Sequence, residues 1–316
     1  METFLIGEEL LMNNLPKVIL DTDIGDDIDD AFALLLLLES HKFDVLGITT
    51  VFRNSIKRAK MAKQLIDSLG YDIKVYPGID NPLKVSIDDL ISPEIKQKEK
   101  VDENNKYLIP QWDESMEKCQ IENKSAVDFI VESVNKYPNE ITIIPIGPMT
   151  NIASAIKKDP SIANKIKEIR FMGAGLNYNF VEWNIFCDPD AAKTVIDSDV
   201  KKITAVTLNV TSQTGLSSEE FNQLRNNDSK AIKLVYNAMM KWFAHYNFEN
   251  PVMHDPLTVA SLIDESIIQT EQLKLDFDLS NRGMPFINSE KDKFINVSIS
   301  VDKEKFFSLF KKVLSI

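Results

Sequence analysis

Six carboxylates fall within ten residues at Asp21-Thr22-Asp23-Ile24-Gly25-Asp26-Asp27-Ile28-Asp29-Asp30. They follow directly on the apolar run Val18-Ile19-Leu20. Like charges this close resist joint ionisation unless a proton or a cation relieves them. Every side chain on offer is an oxygen donor, so a hard divalent cation suits the cluster. A cation beside spare carboxylates is also a ready way to turn water into a nucleophile. Other readings compete. An acidic turn that caps a helix has the same composition. An EF-hand fails, because the twelfth loop position needs a bidentate Glu and holds Phe32. A phosphatase of the haloacid-dehalogenase type also opens with Asp-x-Asp after a strand, but the Lys and Asp pair it needs downstream are not clearly supplied.

Three further groups carry chemistry. Val252-Met253-His254-Asp255-Pro256 joins a titratable imidazole to a distant carboxylate, in a chain whose other histidines are His41 and His245. Its plain alternative is a surface pair at a helix start. Gly147-Pro148-Met149-Thr150-Asn151 follows the apolar run Ile141–Ile146. Such a loop is either a tight connection or a set of exposed carbonyls for a hard cation. Glu182-Trp183-Asn184 places two polar side chains beside an aromatic one, a composition suited to a sugar. Asp188-Pro189-Asp190-Ala191-Ala192 reads as an acid-capped helix start.

These groups need a scaffold that brings them together. Val18–Leu20, Val45–Thr50, Ile73–Tyr76, Ile141–Ile146, Ile169–Met172 and Ile203–Leu208 read as strands. Ile28–Leu38, Ser55–Leu69, Ser125–Lys136 and a segment from Asn151 read as helices between them. The end of the chain reads as a strand, Phe294–Val301, then a closing helix over 302–315. Alternating units with near-continuous apolar strands predict a single α/β domain, with a mostly parallel central sheet flanked by helices. Ligands in such sheets bind beyond the carboxyl ends of the strands, where the polar groups above fall. Residues 84–124, with Pro93 and Pro110, read as an irregular excursion.

The chain has 316 residues, 44% hydrophobic and 27% charged, enough for a large core. Its net charge of −12 argues against a nucleic-acid partner. Cys119 and Cys187 form neither a disulfide framework nor a metal spacing, which fits a reducing compartment. The first residues lack the basic and apolar regions of a signal peptide, and Leu34–Leu38 is far too short for a membrane span. The expectation is a cytoplasmic protein with an N-terminal extension over 1–15, a domain over 16–316, and Met12 as an alternative start.

Taken together, the blocks resemble the nucleoside hydrolase family, of the inosine-uridine preferring type. The resemblance rests on Asp21-Thr22-Asp23-Ile24-Gly25 with Asp29-Asp30-Ala31, Ile48-Thr49-Thr50-Val51 with Asn54, and Pro145 to Ala153. It continues through Phe171-Met172-Gly173, Glu182-Trp183-Asn184, Asp188 to Ala192 and His254-Asp255-Pro256. It implies a Rossmann-like core, assembly as a homodimer or homotetramer, and hydrolysis of a small-molecule ribonucleoside with Ca2+ as cofactor. By the same resemblance, Asp23 is the base that activates water and also touches the metal. Asp30, Asp255 and the Thr150 carbonyl are the other calcium ligands. Asp29, Asn54, Glu182 and Asn184 bind ribose, and His254 is the acid that helps the nucleobase depart. Asn177 or Asn179 is the candidate for the 5′-hydroxyl.

The aromatic run Trp242, Phe243, His245, Tyr246 and Phe248 is either a helix end on the core or a lid that stacks on the base. Arg53 stands where the family often has Gly, Asn209 where it often has Asp, and the loop before Glu182 is short. Rival readings are a hydrolase of nicotinamide riboside or a modified nucleoside, the phosphatase, and a non-catalytic nucleoside-binding protein.

Overall fold

A computed structural model describes residues 15–90, 107–246 and 250–316. Most of the proposed N-terminal extension, residues 91–106 of the excursion and Phe248 lie outside the described residues.

The first half alternates strand and helix as the apolar periodicity predicts. Strand β1 (Lys17–Thr22) leads to helix α1 (Asp29–Glu39), β2 (Asp44–Thr50) to α2 (Ser55–Leu69), and β3 (Val75–Pro77), through a 3₁₀ turn at Glu114–Lys118, to α3 (Ala126–Lys136). Then come β4 (Ile141–Pro145), α4 (Thr150–Lys158), β5 (Glu168–Met172), the short α5 (Trp183–Cys187), α6 (Pro189–Asp197), β6 (Ile203–Val206) and the one-turn α7 (Leu208–Thr211). Three helices follow, α8 (Ser218–Arg225), α9 (Lys230–Tyr246) and α10 (His254–Ile263). The chain closes with β7 (Ile268–Leu273), the hairpin β8 (Leu275–Asp278) and β9 (Met284–Ile287), β10 (Ile295–Val301) and α11 (Lys303–Leu314).

Eight strands form one sheet in the order β3-β2-β1-β4-β5-β6-β10-β7. All neighbours are parallel except β7, which runs antiparallel to β10. The strand order reverses between β1 and β4, the switch point at which α/β sheets open a crevice. Apolar cores fill both faces. Helix α1 is buried along ten of its eleven residues, so it reads as apolar all round and packs Phe32 on Phe310 of α11, ring centroids 5.8 Å apart. Helix α2 has the bounds its periodicity predicts. Asn54 accepts from Lys57 N at 3.4 Å to start it, and Gly70, at φ +83°, ends it in the left-handed region.

Two expectations change. The run Ile203–Leu208 stops as a strand at Val206, and Leu208 opens α7 instead. Strand β7 and the β8–β9 hairpin were not anticipated. Among the described residues no helix is long and apolar enough to cross a membrane.

Candidate active site

A cavity of about 600 Å³ opens beyond the carboxyl ends of β1, β4 and β5. That volume suits a drug-sized or metabolite-sized ligand. Its polar wall includes Asp23, Asp29, Asp30, Glu182, Asn184, His254 and Asp255. Tyr107, Phe180, Trp183, Trp242 and Tyr246 supply an aromatic wall.

Asp29 and Asp30 occupy the first turn of α1, and Asp255 the first turn of α10. Helix N-termini favour negative charge, which helps to hold carboxylates there. One oxygen from each of the three lies within 4.8 Å of the others, and all three side chains are buried. The backbone N–H of Asp255 donates to Asp29 Oδ2 at 3.1 Å, and the Thr22 hydroxyl donates to Asp30 Oδ1 at 2.5 Å. Burial pushes all three carboxyl groups well above the usual range, and repulsion from neighbouring carboxylates, Asp23 among them for each, adds to it. Three crowded, buried oxygen donors fit a hard divalent cation, whose charge would relieve both penalties.

Asp23 lines the same cavity, and its charge is among those that raise Asp30. Burial lifts its own carboxyl to about 7, against the pull of Arg58. The approach is tight: a Cβ at Gly147 would stand 2.5 Å from Asp23 Oδ1, so the Gly-Pro turn after β4 must begin with glycine. Arg58, fully buried in α2, fixes the other side of Asp23. It donates to the carbonyl oxygens of Asp23, Ile24 (3.1 Å) and Phe52 (2.7 Å), and pairs with Asp26 Oδ2 at 2.8 Å.

Asp21 stays off the cavity wall. Its Oδ1 accepts from Thr49 Oγ1 at 2.5 Å and Asn151 Nδ2 at 2.8 Å, tying β1 to β2 and α4, and burial raises it to about 7.

Glu182 and Asn184 reach the wall from α5. Glu182 caps that helix, accepting from the N–H groups of Asn184 (2.8 Å), Ile185 (3.2 Å) and Ala174 (3.2 Å), and burial still lifts it to about 7. Asn184 Nδ2 donates to the carbonyl oxygens of Ile146 (2.8 Å) and Met172 (3.3 Å), which anchors it to the ends of β4 and β5. His254 faces the cavity, and its Nδ1 lies 2.7 Å from Thr211 Oγ1. Burial pushes its imidazole down to about 4, so it is neutral near pH 7. Trp242 and Tyr246, at the end of α9, both line the cavity, with ring centroids 6.2 Å apart.

Three candidates are not on the cavity wall. Asn54 is the left-handed cap of α2, its side chain engaged with Lys57 N, and Arg53 lines the cavity in its place. Asn179 is exposed and off the wall, and the neighbouring Phe180 lines it instead. The loop is short, and Asn177 spends its residue on a left-handed turn at φ +65°. Thr150 is buried, its hydroxyl donating to Asp188 Oδ2 at 2.7 Å. A calcium role for its carbonyl rests on the family resemblance.

Residues not singled out from sequence complete the wall. Arg53 pairs with Asp88 and lies 4.6 Å over the Tyr107 ring, whose hydroxyl donates to Asp26 Oδ1 at 2.8 Å. Arg53 was visible only as an oddity in its block. Arg58 and Tyr107 had no local signal, since the Asp26 carboxylate they share lies 32 and 81 positions away.

Known proteins are similar to this chain in sequence and fold. A profile of the family described as inosine-uridine preferring nucleoside hydrolase matches residues 18–308. The chain is similar to uridine nucleosidase 1 of Arabidopsis thaliana, 34% identical over 260 residues that cover 78% of this chain and 74% of that one. It is similar to the inosine-uridine preferring nucleoside hydrolase of Crithidia fasciculata, 28% identical over 93% of this chain and 95% of that one. Among solved structures it resembles a purine-preferring ribonucleoside hydrolase from Gardnerella vaginalis. The TM-score is 0.78 at 29% identity, covering 95% of this chain and 98% of that one. The chain belongs to the inosine-uridine preferring nucleoside hydrolase family and is a ribonucleoside hydrolase.

Proposed function

We propose that this enzyme cleaves ribonucleosides to ribose and free base in a calcium-dependent reaction in this cavity. The observation that carries the proposal is the buried Asp29–Asp30–Asp255 group sharing one cavity with Asp23, Glu182, Asn184 and His254. Asp30 and Asp255 of that group would hold calcium; the family resemblance adds Asp23 and the Thr150 carbonyl to them and gives Asp29, the third member of the group, to the ribose hydroxyls. When bound, calcium supplies the positive charge that makes a neighbouring water more acidic. Asp23, held between Gly147 and Arg58, takes the proton from the attacking water. Cleavage builds positive charge on the ribosyl ring, which the carboxylates around it stabilise. Glu182 and Asn184, fixed to the strand ends, orient the sugar. His254 donates a hydrogen bond to the base as it gains negative charge. The carboxylates act on water rather than on carbon, so direct displacement is expected, by analogy with inverting glycosidases.

The base preference divides the relatives. Uridine is named for the Arabidopsis protein and purines for the Gardnerella one. The test is reducing-sugar release from inosine, adenosine, guanosine, uridine, cytidine and nicotinamide riboside, with phosphate release from phosphomonoesters as control. Turnover of at least one common ribonucleoside is expected. Phosphate release alone, or release from nicotinamide riboside alone, would replace this reading. A homodimer or homotetramer, in the cytoplasm, is part of the same proposal, and light scattering that finds only monomer at working concentration removes the assembly.

A further inference from the structure

Thr211 closes α7, immediately beyond β6, and is fully buried. Its hydroxyl oxygen lies 2.7 Å from His254 Nδ1. The surrounding turn is knitted to the start of α10. The Thr214 hydroxyl donates to the Thr211 carbonyl at 2.7 Å and contacts the Met253 carbonyl at 3.1 Å, and Met253 N donates to the Thr214 carbonyl at 3.1 Å. Residues 211 and 254 are therefore held in register by a route independent of their own contact.

A threonine hydroxyl carries one proton, and in a buried site that proton needs an acceptor. Among the described residues His254 Nδ1 is the acceptor within reach. The opposite arrangement, Nδ1–H donating to Oγ1, would strand the hydroxyl proton. In a neutral imidazole the hydrogen bond at one nitrogen decides which nitrogen bears the proton. We infer that Thr211 is a positioning residue that holds His254 as the Nε2–H tautomer, so that the ring presents a donor rather than a lone pair to the leaving base. This rests on the reading of His254 as the group that faces the base.

The calcium-loaded enzyme, labelled with ¹⁵N-histidine, tests it by NMR near pH 8. His254, assigned by loss of its signals in His254→Ala, should show the Nε2–H tautomer in the native protein. Thr211→Val should give a mixture of tautomers, and Thr211→Ser should restore the native pattern. In kinetics, Thr211→Val should lower kcat on its best natural ribonucleoside by about tenfold or more, within the range of one proton-transfer partner. It should leave KM and the kcat on nitrophenyl riboside close to native, and Thr211→Ser should recover most of the loss. An Nδ1–H tautomer in the native enzyme would overturn the assignment even if no variant folds. Equal losses on both substrates, or no rescue by Ser, would also overturn it. If His254→Ala itself turns over nucleosides normally, the base-facing role of His254 fails, while the tautomer measurement still judges Thr211.

Discussion

Arg58 and Asp26 form an ion pair at 2.8 Å in which the guanidinium is wholly buried and its remaining donors are taken by carbonyl oxygens of two loops. The loops are the one after β1, which carries Asp23, and the one after β2, where Phe52, Arg53 and Asn54 all have positive φ. Three successive non-glycine residues in that region are costly, and such strain persists only where surrounding contacts enforce it. Arg58 supplies part of those contacts, beside Phe52 N and Arg53 N, which donate to the carbonyl oxygens of Ile79 and Asp80 at 2.8 and 3.0 Å. Arg58→Met is expected to cost on the order of 3–5 kcal/mol, the usual penalty for breaking a buried pair by removing one partner. Urea midpoints would measure it. A midpoint within experimental error of native would show that the loops hold their shape without the arginine.

The acidic site makes the metal-free protein sensitive to pH in a defined direction. Asp21, Asp23 and Glu182 are raised to about 7 from ordinary values of 3.8, 3.8 and 4.5, with burial the main cause. Between those limits the folded state binds more protons than the unfolded one, so stability falls as pH rises. The contribution is fully present below about pH 4 and lost by about pH 7 to 8. In chelator, the Tm should drop from about pH 5 to about pH 8. Calcium should restore more stability at the higher pH, where protons no longer compete for the ligands. A chelated Tm that is flat or rises over this interval would contradict the burial of these carboxyl groups as their controlling cause.

Much of this was legible along the chain, and the gaps have physical causes. Helix α2 was readable from its apolar spacing, and in the structure its asparagine cap and terminal glycine fall at the bounds that spacing sets. The strands of the parallel core were readable because burial on both faces makes them continuously apolar. Strand β7, Ile-Gln-Thr-Glu-Gln-Leu, was not, because it lies at the sheet edge with four successive residues exposed. The metal-type carboxylates were readable as a cluster. Asn54 was not separable from Arg53, because a left-handed cap turns one residue into the helix start and aims its neighbour at the cavity. The tie from Arg58 to Ile24 and Asp26 was invisible because those partners lie more than thirty positions away.

Calcium dependence gives a third outcome. Asp255→Asn keeps nearly the same shape but removes one of the three crowded charges. It should weaken calcium binding and lower kcat/KM together, and exhaustive chelation of the native enzyme should abolish turnover. Full activity in chelator, with no residual metal by elemental analysis, would remove the cation from the reaction.

Selectivity for ribose should be strong. Asp29, Glu182 and Asn184 present buried polar groups to the cavity. A site built to hydrogen-bond a hydroxyl leaves such groups unpaired when it is missing, and discrimination can reach roughly 10⁴-fold. Uridine or inosine, whichever is turned over, should beat its 2′-deoxy form by a large factor in kcat/KM. Comparable values for the two would move the sugar elsewhere in the cavity.

His254 should matter in proportion to how poor the leaving group is. The imidazole is neutral near pH 7, because burial holds it at about 4, so it acts as a hydrogen-bond donor rather than as a cation. A nucleobase departing as an anion needs that donor, whereas nitrophenolate is stable without one. His254→Ala should therefore lose about 10²–10⁴-fold in kcat on a natural nucleoside, the range for a general acid, and much less on nitrophenyl riboside. A collapsed pocket would slow both substrates alike, so the contrast separates chemistry from folding. Equal losses would take His254 out of the reaction and turn attention to His245, which lines the same cavity.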